Sequence, residues 1–281
     1  MPELPEVETV RAQLAPALEG RTFDRVEIRD YRLVMPEEPV VVAAELEGEE
    51  VAAVGRRGKY LVVRFESDRV LLIHLRMTGS LLHVDNGSPD PDAYTRAVVR
   101  LDDGSDVIYR DVRRFGTWRL LEPEEVVPYL AKRLGKEPLE RFSSRDLGAR
   151  LAGRRAAVKT VLLDQRVVAG LGNIYADEAL WYARVHPLRP AAGLDEAEIR
   201  RVHRGIRRAL AAGIARQGST LRDYRLPDGS SGSMQDEFRV YGREGEPCER
   251  CGTPIAKTRV GGRGTSYCPV CQPAGSVLAA P

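Results

Sequence analysis

Tyr60-Leu61-Val62-Val63-Arg64-Phe65, the link Glu66-Ser67-Asp68, and Val70-Leu71-Leu72-Ile73-His74-Leu75 read as two β-rich runs joined by a tight turn. Branched and aromatic side chains suit a pleated, half-buried surface, and the polar link suits a hairpin. Similar runs flank this pair at 23–28, 40–54, 97–101, 107–109 and 117–121, with Asp102-Asp103-Gly104 as a second hairpin-type link. The pattern predicts a β-sandwich of about eight strands.

Towards the N-terminus, Val7, Val10, Leu14 and Leu18 form an apolar stripe at helical spacing that ends at Gly20. Pro2, Pro5 and acids at 3, 6 and 8 suit a helix's first turn, so a helix is expected beside the sandwich. Beyond the sandwich, helical patterns take over at 123–133, 143–152, 156–163, 174–183 and 195–216, placing a domain boundary near 132–138. The proline-rich stretch 88–92 is expected as an exposed loop. The Gly- and Ser-rich stretch 226–235 is expected as a mobile loop able to act as a lid.

Cys248-x2-Cys251 and Cys268-x2-Cys271, sixteen residues apart, use all four cysteines of the chain. Disulfides or redox pairs are the alternatives, and neither fits a cytosolic protein whose knuckles carry Gly252 and Pro269. The spacing matches a four-thiolate zinc ribbon with one structural Zn2+. Its hairpin carries Lys257, Arg259 and Arg263 without an acid, and Val260-Gly261-Gly262-Arg263-Gly264 forms a flexible basic tip suited to phosphate.

The 281 residues carry a net charge of only +2, unevenly spread. Residues 1–140 hold 20 Lys/Arg and 27 Asp/Glu, a net of −7, whereas 141–225 hold 17 and 8, a net of +9. A basic middle suits a polyanion, although basic helices are often simply solvated. No apolar run approaches the roughly 20 residues of a membrane span, and the acidic start is no signal peptide. A cytoplasmic protein with no membrane partner is expected.

Pro2 acquires chemistry if Met1 is removed. A terminal amine has a pKa of about 7.7–8.0 against about 10.4 for lysine, so a useful fraction is neutral and nucleophilic near pH 7. Attack by this secondary amine on a sugar C1′ gives a permanently charged iminium, while the neighbouring Glu3 can pass protons. The plainer reading of Pro2 is a helix starter.

Pro2-Glu3-Leu4-Pro5-Glu6-Val7-Glu8-Thr9, Arg57-Gly58-Lys59-Tyr60, Arg113-Arg114-Phe115-Gly116, Gly170-Leu171-Gly172-Asn173-Ile174-Tyr175 and the four-cysteine hairpin, in this order, closely resemble the bacterial formamidopyrimidine-DNA glycosylases. The resemblance runs from Pro2 to Gln272. It implies an α+β, multidomain chain: an N-terminal β-sandwich with flanking helices (1–134), a helix-two-turn-helix domain (135–225), a mobile lesion-capping loop (226–238) and a zinc finger built as a β-hairpin ribbon (239–273). The partner it implies is damaged double-stranded DNA, bound by a monomer in the bacterial cytoplasm and on the nucleoid during repair. The activity it implies is excision of 8-oxoguanine and ring-opened purines followed by cleavage at the abasic site.

By that resemblance Pro2 is the nucleophile, Glu3 the proton donor, Lys59 the group assigned to the first elimination and Arg263 the group assigned to the second. An arginine does not readily give up its proton, so clamping phosphate charge is the role expected of Arg263. Met77, Arg113 and Phe115 match the family's void-filling trio, with Arg113 facing the orphaned cytosine. Taken singly, Met77 and Phe115 read as core residues, yet each follows a strand at a turn, an awkward place to bury either. Asn173, at the start of a helix, is expected to meet phosphate, to cap the helix, or both. Arg155, near Arg154 and Lys159, aligns with a DNA-contacting lysine of the family.

Three positions depart from the pattern. Tyr94 stands where many relatives carry a DNA-contacting histidine, Val112 replaces the usual proline, and Ser233-Met234 replaces a bulkier pair in the capping loop. The alternatives are the endonuclease VIII branch, which prefers oxidised pyrimidines, a non-catalytic zinc-ribbon DNA-binding protein, and a tautomerase using its terminal proline. Leu4, the Met77/Arg113/Phe115 set and the long loop after Tyr224 favour the purine branch.

Overall fold

The computed structural model describes residues 2–85, 92–221 and 224–274. Met1 and most of the expected 88–92 loop lie outside the described residues; Asp92 is exposed and pairs with Arg110. The chain forms two compact units, Met1–Lys132 with Arg216–Gln235, and Arg133–Ala215 with the residues from Asp236 onward.

The first unit is a sandwich of two four-stranded antiparallel sheets. One runs β1 (Phe23–Ile28), β6 (Thr95–Leu101), β7 (Asp106–Asp111), β5 (Gly79–Val84), and the other β2 (Val51–Arg57), β3 (Tyr60–Phe65), β4 (Val70–His74), β8 (Thr117–Leu121). The expected hairpin of residues 60–75 is β3–β4, with Leu61 facing Ile73 and Tyr60 facing His74. Leu61, Val63 and Phe65 point into the core with Val99, Leu101 and Val107 of the other sheet. The helix α1 (Leu4–Leu18) adds the expected stripe, Val7, Val10, Leu14 and Leu18, to that core. Each such buried side chain contributes roughly 1.5–3 kcal/mol.

Two sequence readings are corrected. Part of the run expected as strand at 40–54 is the helix α2 (Pro39–Leu46), and the strand is β2, at Val51–Arg57. Pro39 pre-sets the first helical turn, and burying Val42 and Leu46, four residues apart, outweighs the strand preference of three consecutive valines. Strand β5 is not among the expected runs, because it opens on Gly79, a residue depleted in strands.

Residues Arg216–Gln235, expected partly in the helical domain and partly as a loop, pack with the first unit. Their anchor is Glu6, whose Oε1 accepts from the Ser219 amide (2.8 Å) and hydroxyl (3.1 Å), while its carbonyl accepts from Tyr224 Oη (3.1 Å). Leu226 is fully buried in the sandwich core and Met234 is also buried. The Pro227 carbonyl accepts from the His83 amide, and Gly232 donates to Thr220 Oγ1.

After α3 (Pro123–Ala131), the second unit holds α4 (Ser144–Leu151), α5 (Val158–Leu162), α6 (Asn173–Ala183), α7 (Glu196–Ala215) and the hairpin β9–β10 (Ala256–Val260, Arg263–Tyr267). Helices α6 and α7 cross closely at Gly205, where any Cβ would strike the Ala179 carbonyl. Among the described residues no helix is long and apolar enough to cross a membrane.

Candidate active site and nucleic-acid interface

In the first unit, Pro2 and Glu3 sit buried at the start of α1, Glu3 being 2% exposed. Glu6 reaches back so that its Oε2 accepts the Glu3 amide at 2.9 Å. A carboxylate three residues on thus satisfies an amide that the helix leaves unpaired. Glu6 therefore ties the segment bearing Pro2 to Ser219. In the sequence Glu6 reads only as a favourable charge in the first turn, although its spacing from Glu3 is the signal of this contact.

Lys59 lies in the β2–β3 turn, 5% exposed, after Gly58 at φ +58°. Arg56 shapes this turn by donating to the Gly58 carbonyl (3.0 Å), and its Nε binds Glu8 Oε2 of α1 at 2.8 Å. The lysine-bearing turn is therefore fastened near the beginning of α1. His74, buried beside it, accepts the Arg76 amide on Nδ1 at 3.0 Å. Burial, then Arg76 and Lys59, hold its imidazole down at about 3, so it stays neutral.

Met77, Arg113 and Phe115 are brought together at one end of the sandwich. Met77 is 37% and Phe115 49% exposed, and Arg113 is exposed between them. The Arg113 Nη1 lies 3.0 Å from Met77 Sδ, and its guanidinium lies 4.7 Å from the Phe115 ring centroid. Two bulky apolar side chains thus stand in solvent with a cation touching each of them.

The support beneath them is Asp111, almost wholly buried. Its Oδ2 accepts the amides of Phe115 (2.9 Å) and Gly116 (2.7 Å), and its Oδ1 accepts the Arg113 amide (3.2 Å) and bonds the Thr78 hydroxyl. Arg76 and Arg114 both take left-handed backbone conformations, φ +55° and +59°. Asp30 binds the Arg114 guanidinium at two points, which holds its carboxyl below the usual range. No local pattern announces Asp30, whose partner Arg114 lies 84 residues further on; Asp111 bonds mainly within its own turn and also reaches Thr78 of a distant segment. Tyr94 is 45% exposed at the turn before β6, where its carbonyl accepts the Asp111 amide.

In the second unit, the four cysteine sulfurs lie within 4.8 Å of one another. Cys248 and Cys271 are 4.0 Å apart, Cys251 and Cys268 3.5 Å. Four sulfurs at about 2.3 Å from a tetrahedral zinc are themselves about 3.8 Å apart, so the cluster fits one structural ion. Gly252 at φ +74° turns the first knuckle so that its amide donates to the Cys248 carbonyl. The four-thiolate set offers no open coordination position, so its role is structural.

Arg263 is exposed at the start of β10, after the Gly261-Gly262 turn, both glycines at positive φ. The strand it begins is fastened to the helices. Lys159, wholly buried, donates to Thr265 Oγ1 (2.7 Å) and the Gly264 carbonyl (3.1 Å) and pairs with Asp177 at 2.6 Å. Asp177 in turn accepts the Ser266 amide at 3.0 Å; burial pushes its carboxyl up to about 7. Asn173 Nδ2 donates to the same Gly264 carbonyl at 3.1 Å.

Asn173 is thus the first residue of α6 and reaches the hairpin, while Gly172 occupies the cap position. Lys159, grouped by sequence with the basic residues Arg154 and Arg155, is a core residue; Arg155 itself is exposed. Glu178, fully buried, accepts the amides of Arg239, Val240 and Tyr241 at 2.9–3.1 Å and anchors the chain that enters the ribbon.

Three family models match the chain in order: "Formamidopyrimidine-DNA glycosylase N-terminal domain" at 1–118, "Formamidopyrimidine-DNA glycosylase H2TH domain" at 134–225 and "Zinc finger found in FPG and IleRS" at 245–274. The formamidopyrimidine-DNA glycosylase of Symbiobacterium thermophilum is 49% identical over 97% of this chain and 90% of its own length. That of Roseiflexus is 47% identical over 97% and 100%. Among solved structures, a mutant Lactococcus lactis FPG bound to a Fapy-dG containing DNA superposes with TM-score 0.91 at 40% identity, covering 97% of this chain and all of that one. The L. lactis enzyme with an abasic site containing DNA gives 0.90 at 39%, covering 96% and 99%. Matched end to end by family models and by full-length relatives, the chain belongs to the formamidopyrimidine-DNA glycosylase family.

Proposed function

We propose that the protein is a base-excision repair enzyme, a bifunctional DNA glycosylase and abasic-site lyase acting on 8-oxoguanine and formamidopyrimidine lesions in double-stranded DNA. The observation that carries this reading is the exposed Met77–Arg113–Phe115 cluster, in which Arg113 touches both apolar side chains. Extruding a damaged nucleotide costs a few kcal/mol and leaves a gap that an apolar wedge and a hydrogen-bonding cation can occupy. Arg113 offers donors to the cytosine left behind, so excision opposite cytosine is favoured over excision opposite adenine.

In the chemistry proposed, removal of Met1 frees the Pro2 nitrogen, which bonds to C1′ as the base departs. Glu3 protonates the sugar oxygen as the ring opens to an iminium. The iminium acidifies the C2′ proton; its loss, with Lys59 as proton carrier, breaks the C3′–O3′ bond, and a second elimination breaks C5′–O5′. Arg263 balances phosphate charge during the second step, and the product is a one-nucleotide gap. Asn173, Arg155 and Tyr94 serve as DNA contacts. The working division of the chain remains 1–134, 135–225, 226–238 and 239–273, with 226–238 as the lesion cap. The enzyme acts as a monomer in the bacterial cytoplasm and at the nucleoid.

Borohydride reduction is expected to trap the protein on DNA containing 8-oxoguanine opposite cytosine. Pro2→Gly is expected to abolish trapping and keep binding. Tight binding by the wild type without any cross-link would favour a binding module, and stronger trapping on thymine glycol would favour the pyrimidine branch. Mass spectrometry of the active enzyme is expected to find Met1 absent; its presence would exclude Pro2 as nucleophile.

A further inference from the structure

The loop bearing Arg113 and Phe115 reverses through Arg114 at φ +59°. A non-glycine residue in that region is strained and persists only where its surroundings over-determine it. Val112 before it is exposed and lacks the ring that would stiffen the approach. Asp111 grips the backbone of residues 113, 115 and 116, on either side of Arg114.

The remaining restraint comes from Asp30, 84 residues earlier, just beyond β1. Its carboxylate side chain is 3% exposed, against 38% for Arg114, so the acid is the fixed end of the pair. Asp30 Oδ2 accepts from Arg114 Nε at 2.6 Å and Oδ1 from Nη2 at 2.8 Å, a two-point grip that fixes orientation as well as distance. Asp30 is itself held, since its Oδ1 accepts the Arg32 amide at 3.1 Å. Arg96 stands 3.8 Å from its other oxygen and donates to the Asp111 carbonyl at 2.9 Å, which links the two acids beneath the loop.

We propose that Asp30 is a positioning residue for the reading of the base opposite the lesion: by gripping Arg114 it fixes the reversal that stacks Arg113 on Phe115. This rests on the void-filling role given above to Met77, Arg113 and Phe115. Asp30 is buried and acts through Arg114, and the sugar chemistry at Pro2 does not depend on it.

The test measures single-turnover excision of 8-oxoguanine opposite cytosine and opposite adenine, together with borohydride trapping on a preformed abasic site. Asp30→Asn, Arg114→Ala and the double variant are compared with wild type. Each single variant is expected to lower the cytosine-to-adenine ratio about tenfold, equivalent to ~1.4 kcal/mol. The double variant is expected to lower it no further, and trapping should stay within about twofold of wild type. Arg114→Lys keeps the charge without the two-point grip and gives the same readout if Asp30→Asn fails to fold. An unchanged ratio in folded variants overturns the proposal, as does a parallel loss on all three substrates. A wild-type protein that never cross-links would sink the enzymatic reading, whereas a cross-linking wild type whose variants keep their ratio sinks only the role of Asp30.

Discussion

Lys159 and Asp177 meet at 2.6 Å with both side chains closed to solvent, and the same lysine donates to the strand that begins at Arg263. A salt bridge between helices α5 and α6 therefore serves as the footing of the basic hairpin. Removing one partner of such a pair strands a buried charge.

Lys159→Met is expected to destabilise the protein by ~3–5 kcal/mol. The double variant Lys159→Met/Asp177→Leu should recover much of that loss, because it removes both charges from the interior. Urea unfolding of the single and double variants measures the difference. Equal losses in the two would show that the pair's charge is not what matters.

Gly116 lies against the Tyr109 hydroxyl so closely that a Cβ there would overlap it, and Gly79 approaches the same hydroxyl. That hydroxyl is buried and finds no hydrogen-bond partner among the described residues. Gly116→Ala should therefore cost ~1–3 kcal/mol through overpacking. Tyr109→Phe should be neutral or stabilising, since it deletes a buried polar atom that gains nothing. Thermal unfolding of both variants and their combination checks this; a marked loss in Tyr109→Phe alone would contradict it.

His74 makes stability acid-sensitive. An unfolded histidine takes up a proton near pH 6.5, whereas the folded ring resists protonation down to about 3. Between those values the unfolded chain binds more protons, so the stability present above pH 6.5 is lost progressively as pH falls. At pH 5 the loss is ~2 kcal/mol. His74→Asn, whose Oδ1 can replace Nδ1 as acceptor for Arg76, should show a shallower decline between pH 6.5 and 4 in urea titrations. Identical slopes would remove His74 from the account.

Stripping zinc should loosen the small core formed by Trp181, Val240, Cys248, Ile255 and Cys268. The chain has two tryptophans. In a Trp118→Phe variant, chelation is therefore expected to change the emission of Trp181 and, in the same titration, to weaken duplex binding more than it slows trapping on an abasic site. Unchanged affinity in the metal-free protein would separate the ribbon from DNA binding.

What could be read in advance was what is local or periodic. The α1 stripe, the β3–β4 hairpin and the cysteine spacing each declare themselves within a short stretch. Met77 and Phe115 were legible as surface residues because turns and charged neighbours gave them nowhere to hide. The valine run at 40–42 misled because strand preference is weaker than the burial of Val42 and Leu46 on one helix face. Lys159 and Asp30 were opaque for another reason. A buried charge is written into sequence only as a charge, and what neutralises or anchors it comes from far along the chain.

The passage of 216–235 back into the first unit has a consequence for how the protein is made. Tyr224 and Leu226 belong to the sandwich core, so a ribosome must deliver most of the polypeptide before the N-terminal lobe can close around its last hydrophobic pieces. A gene fragment ending near residue 132 would encode an unfinished sandwich. Because the backbone passes between the lobes three times, a protease nick at one passage would split the polypeptide yet leave two passages linking the lobes, each severed segment being held in its lobe by packing alone.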